Sequence, residues 1–318
     1  MKKFLLKIAV SCVLLALLLW RVPLGEIGAH MRSFHAITLW VVVSLSLACW
    51  GIAAVRQWCL LPEFRYRDLL YVTFIAKFYA TVLPGQIAGD VVKAYRLGRQ
   101  STRTGHAEAA TVLDRGLGLF ALFVVSAIAS LYSSRLPLPL RLFFICGAIG
   151  IAAGGAMIGS SLFRGVLVER LLATRRGRIA AFVREFSLAL HDQLRRPGML
   201  LAAMLPAILF HAACVVMQVL LGDDLGIKLG WADWTVVYAG VSLVMLLPVS
   251  VAGLGLREGG YVGLLALFGY KASAALSLSF VILGAALVAA LVGGGLELVS
   301  TIHRVRASSN ATRHSTGQ

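Results

Sequence analysis

Seven charged side chains stand in or beside apolar sequence, and they are the residues best placed to do chemistry: Lys77, Asp90, Lys93, Asp114, Arg115, Arg257 and Glu258. An arginine at the centre of a membrane helix costs roughly 2.5–3.5 kcal/mol on insertion scales, so ionisable groups kept there mark a pathway, a binding site or a structural ion pair. Neighbouring residues on a helix point in different directions, so Arg257 does not neutralise Glu258, nor Asp114 Arg115. Cross-pairs are the alternative: Arg257 with Asp90 or Asp114, and Glu258 with Lys77 or Arg115. Two readings stand side by side. One is a hydrated cavity for an amphipathic anion; the other is a set of ion pairs that only holds helices together.

Most of these charges sit where helices break. Residues 247–265 read LPVSVAGLGLREGGYVGLL, with Pro248, Gly253 and Gly255 ahead of Arg257-Glu258. Residues 83–98 read LPGQIAGDVVKAYRLG, with Pro84, Gly85 and Gly89 around Asp90, Lys93 and Arg96. The two stretches share the pattern L-P-x-x-x-A-G-x-x-x-[K/R] at an offset of 164 residues (Pro84 to Pro248, Lys93 to Arg257). Proline removes a backbone donor and glycine weakens a helix, so each stretch reads as a helix that opens and restarts. A restarting helix presents free N–H groups and a positive end, which favour anions such as phosphate. Asp90 is placed to cap the first restart.

The rest of the chain has to carry these breaks into a bilayer. Of 318 residues, 59% are hydrophobic and 14% charged, with mean hydropathy +0.85. A soluble domain carries about a quarter charged residues. Full spans are expected at 1–20, 38–55, 107–131, 141–160, 199–221 and 272–299, each near the ~20 residues a bilayer requires. The first shows no small-residue cleavage site and reads as uncleaved. The two broken stretches, with the apolar runs before them, read as re-entrant hairpins; two shorter crossings would give the same loop sides. The net charge of +16 comes from short basic loops between apolar runs, with no aromatic-basic platform, so nucleic acid is not the expected partner. The cysteines (12, 49, 59, 146, 214) form no C-x-x-C pair, the histidines have no metal spacing, and no cofactor is expected.

The fold class is therefore all-α: a polytopic helical membrane protein with two broken, re-entrant hairpins. At the 164-residue offset, span 38–55 maps onto 199–221 and span 107–131 onto 272–299, giving repeat units at about 38–131 and 202–299 of opposite orientation. One integral membrane domain covers 1–306, and 307–318 is expected to be a disordered cytoplasmic tail. With both termini cytoplasmic, 21 of the 30 Lys and Arg lie inside and six outside, as an inner-membrane protein requires. Gly150-x-x-x-Gly154 and Gly155-x-x-x-Gly159 suggest close helix packing. Residues 178–194 have the spacing of an amphipathic helix with basic flanks, suited either to an anionic leaflet or to a solvated hairpin.

At LPGQIAGDVVKAYRLG, the following LDRGLGLFAL and the later PVSVAGLGLREGG, the chain resembles the membrane domain of lysylphosphatidylglycerol synthase, the flippase-like membrane proteins. The order and spacing of these pieces hold up to about residue 300. Ala88-Gly89-Asp90 stands where a double glycine before the aspartate is common. The resemblance implies movement of an anionic phospholipid or a polyprenyl-phosphate-linked group across an inner membrane. The aminoacyl transfer of the full synthase belongs to its soluble domain, so the resemblance does not carry that activity over to this sequence. The remaining readings are an intramembrane transferase using Glu258, Asp90 or Asp114 as base, and a membrane subunit that holds a lipid or glycan synthase. A homo-oligomer is compatible with each.

Overall fold

The computed structural model describes Ala16 and residues 22–83, 87–101, 105–160, 178–247, 250 and 252–315. Among them are eleven α-helices and no strand. They are α1 (Leu24–Ser33), α2 (Ala36–Leu60), α3 (Tyr66–Val82), α4 (Ile87–Gly98), α5 (His106–Tyr132) and α6 (Leu138–Ile158). There follow α7 (Arg178–Leu194), α8 (Pro197–Asp224), α9 (Trp231–Val244), α10 (Leu256–Ala266) and α11 (Ala272–Ser315). Five are long and apolar enough to cross a membrane: α2, α5, α6, α8 and the Ala272–Ile302 part of α11. They fall on five of the six expected spans, and the expected span at 1–20 lies outside the described residues. The protein is a multi-pass helical membrane protein.

The helices between these spans are shorter. α3 and α4 have 17 and 12 residues, and α9 and α10 have 14 and 11. None alone reaches the ~20 residues of a full crossing. Each pair packs together as two arms: Gly89 of α4 sits against Ala76 and Ala80 of α3, and Gly260 and Gly240 join α10 to α9 through Val241 and Leu264. The second break follows the glycines as the sequence suggests. Ala252, Gly253 and Gly255 all adopt positive φ (54°, 77° and 81°), a region closed to most side chains, before α10 starts at Leu256. Pro84, Gly85 and Pro248 lie outside the described residues.

Counterparts at the 164-residue offset also have corresponding neighbours. α2 and α8 pack on each other. α3 packs on α11 as α9 packs on α5, and α2 on α11 as α8 on α5. Lipid and apolar side chains attract helices about equally, so close approach and internal hydrogen bonds hold such a bundle. Gly293 of α11 lies against the Phe74 carbonyl of α3, and Gly222 of α8 against the Trp234 ring. Buried hydroxyls of Thr111, Ser126 and Ser277 donate to carbonyls one turn back, which leaves none of them unmet in a low dielectric.

Three expectations are corrected. The glycine spacing of α6 suggests packing, yet among the described residues nothing lies within 4 Å of a Cβ built on Gly150, Gly154 or Gly155, and of these spaced glycines only Gly159 meets another helix, at Leu194. The connection left between the expected spans 1–20 and 38–55 contains helix α1, packed on α11. The tail expected to be disordered from 307 continues α11 as helix to Ser315. It has no proline, and no glycine before Gly317, to stop the helix.

Candidate functional site

A cavity of about 410 Å³ opens between the two arm pairs and the spans α2, α5, α8 and α11. Its polar lining is strongly basic: Arg56, Lys77, Lys93, Arg115 and Arg257 face Asp90 and Asp114. The surrounding wall is apolar and aromatic, with Trp50, Phe210, Tyr238 and Tyr261 prominent.

One end is electrically closed. Asp114 of α5 accepts from Arg56 Nε of α2 at 2.5 Å and from Lys93 Nζ of α4 at 3.4 Å. Asp90, in the first turn of α4, pairs with Arg115 Nε at 3.2 Å. These pairs fasten α4 to α5, and α5 to α2. Arg96, a turn farther along, turns away from the cavity and holds both carboxylate oxygens of Glu297 on α11, at 2.5 and 2.6 Å. A single guanidinium nitrogen, Nη2, reaches both oxygens in a charge-assisted contact that ties α4 to α11.

The other end is not closed. Lys77 of α3 lies over the Trp50 ring, 5.1 Å from its centroid, and has no carboxylate partner among the described residues. Arg257 is 5% exposed and gives one nitrogen to the Ala252 carbonyl at 2.9 Å. Its Nη1 has no hydrogen-bond partner among the described residues. The two cations line the same cavity. Thr73 Oγ1 and Gln218 Oε1, both buried on the same lining, are likewise unmet among the described residues. Charges and donors left open in a low dielectric cost folding energy unless a ligand or water meets them.

Glu258 takes no part in this. Its carboxylate is fully buried and accepts from the Gly255 N–H at 2.6 Å and the Ser279 hydroxyl at 3.0 Å. It caps the start of α10 and ties it to α11. The four cross-pairs suggested by the sequence do not form: Asp90 and Asp114 are taken by other cations, Glu258 by a backbone amide and a hydroxyl. Gly89 lines the cavity, while Gly253 and Gly255 shape the turn behind it. Arg56 is the site residue that sequence reasoning misses, because it falls at the expected start of a basic loop. A signal exists: apolar sequence resumes after it at Trp58-Cys59-Leu60-Leu61, and α2 runs on to Leu60. His211 also lines the cavity and is satisfied on both nitrogens, by Tyr238 Oη and the Gly118 carbonyl, each at 2.8 Å.

A helical bundle with a basic cavity between two pairs of short packed helices defines a multi-pass membrane protein with a charged internal site. The model of the lysylphosphatidylglycerol synthase TM region matches residues 4–294, and the chain belongs to that family. No curated protein matches it significantly.

Proposed function

We propose that the cavity receives the anionic head group of a membrane lipid, or of a lipid-linked group, and passes it across an inner membrane. Lys77 and Arg257 carry this reading. They are cations in a cavity whose carboxylates are already engaged, so the ligand must bring the negative charge. Membership of a lipid-related family agrees with it. The matching neighbours of helices 164 residues apart support an inverted repeat, with the two arm pairs as re-entrant hairpins entering from opposite faces. In that arrangement the binding site lies near the midplane and the halves rock around it. Asp114 and Asp90 already accept from cations and Glu258 from two donors, so none of these three carboxylates is unengaged, as the base of a transferase step would be.

Liposome reconstitution tests this. Wild-type protein should raise transbilayer movement of a labelled anionic phospholipid or polyprenyl phosphate. Arg257→Gln and Lys77→Gln should fold with melting temperatures near wild type and lose most of that movement. Variants that fold and still translocate would overturn the assignment, and a wild type that covalently modifies the lipid would replace it with the transferase.

A further inference from the structure

The basic amphipathic helix α7 lies across the ends of two spans rather than beside them. Just before α5, Gly105 faces the backbone of Glu185 and Phe186, and one residue later the His106 carbonyl accepts from Gln193 Nε2 at 3.3 Å. Positions seven residues apart on α7, about 10 Å of helix, therefore meet consecutive residues of α5. At the end of α6 the same holds: His191 Nδ1 bonds the Ile158 carbonyl at 3.0 Å, and Leu194 lies against Gly159. α7 thus crosses the bundle at the level where α5 begins and α6 ends.

The half of α7 rooted on the bundle packs Leu190 and Leu194 against the core, yet the free half still carries large apolar side chains. The rooted half also buries Ser187, His191 and Gln193. The other half projects: residues 181–185 are all exposed, with Phe182 at 45% and Val183 at 38%. Phe182 stacks on Phe186 with ring centroids 6.4 Å apart. Arg184 is exposed within this half, and Arg195 and Arg196 are exposed just past the helix end.

We infer that α7 is an interfacial helix: Phe182 and Val183 enter the head-group layer of one leaflet, and Arg184, Arg195 and Arg196 engage anionic lipid head groups there. The crosswise placement at the span ends sets the helix at the depth of that layer. An apolar tip beside arginines matches the layer's chemistry, with acyl chains below and phosphates above. The long arginine stems let the cations reach phosphate while the rings stay below. This surface is separate from the cavity and stands whether or not the cavity carries lipid.

The test places a nitroxide on Val183→Cys or Glu185→Cys in the full chain with its native cysteines replaced, in nanodiscs of phosphatidylcholine with or without phosphatidylglycerol. In anionic discs the label at 183 should favour collision with oxygen over a water-soluble nickel chelate severalfold more than the label at 185. That contrast should shrink in neutral discs and in the triple variant Arg184→Gln, Arg195→Gln, Arg196→Gln. Equal contrast at both positions would mean a solvated helix, and a 183 label shielded from both reagents would mean a protein cover; either overturns the inference. A contrast indifferent to lipid charge overturns the anionic part. Should the cysteine-free chain fail to fold, hydrogen exchange on the unaltered protein decides the same question: amides 181–186 should exchange severalfold more slowly in anionic than in neutral discs, and equal rates overturn the inference.

Discussion

The two arm pairs begin from the same sequence pattern and solve the same problem differently. In the first, the charges of α4 are spent on other helices: Lys93 on Asp114, Asp90 on Arg115, Arg96 on Glu297. In the second, the charges are spent mostly at home. Glu258 caps its own helix through Gly255, and Arg257 holds the Ala252 carbonyl five residues back. Lys93 and Arg257 are counterparts at the 164-residue offset, yet one sits in an ion pair and the other keeps a guanidinium nitrogen open to the cavity. The difference separates charges paired to other helices from a charge left open, the one the proposed function uses. The first hairpin is fastened to the bundle by charge, and the second is shaped internally so that its cation stays available.

Four substitutions sharpen or break this contrast, the largest effect first. Asp114→Asn removes the one carboxylate shared by Arg56 and Lys93 and strands two buried cations, at a cost of about 3–5 kcal/mol. Little folded protein should survive gel filtration after mild heating. A wild-type melting temperature would mean that the anchor is ornamental. Gly89→Ala comes next, since its Cβ would lie 2.4 Å from the Ala76 carbonyl oxygen, a backbone atom that cannot rotate away. Such overpacking costs roughly 1–3 kcal/mol and should lower the melting temperature measurably. Glu258→Gln keeps an acceptor for Gly255 but gives up its charge, so it should cost about 1 kcal/mol by thermal unfolding. A collapse as severe as that of Asp114→Asn would show that the second hairpin is charge-anchored too. Last, Ala252→Gly should stabilise by up to about 1 kcal/mol, because Ala252 holds a left-handed φ of 54° that suits glycine. An unchanged or lower melting temperature would mean that the turn carries no strain.

Much of this fold is legible in the sequence because bilayer thickness acts on contiguous residues. Apolar length alone locates the spans from α2 onward, and Gly253 and Gly255 locate the second break. Helical spacing locates α7 and its end at Leu194. What is not legible depends on three-dimensional proximity. No local signal pairs Asp114 with Arg56, 58 residues away, or turns Arg96 toward Glu297, 201 residues away. The glycines show the same limit. Gly150 and Gly154 have the spacing of a packing motif and meet nothing among the described residues, whereas Gly293 touches the Phe74 carbonyl. Spacing says which residues share a face, not whether another helix lies opposite.

Helix α11 grips both hairpins. Ser279 holds the Glu258 carboxylate of the second, and Glu297 holds Arg96 of the first. Eighteen residues of continuous helix separate the two grips, about 27 Å at 1.5 Å per residue. A rigid rod held at two such points behaves as a seesaw. Tilted about 10° around its middle, it would swing each grip by about 2 Å, in opposite directions. Whatever draws one hairpin inward through this rod would push the other outward, with no third element needed to keep them in step.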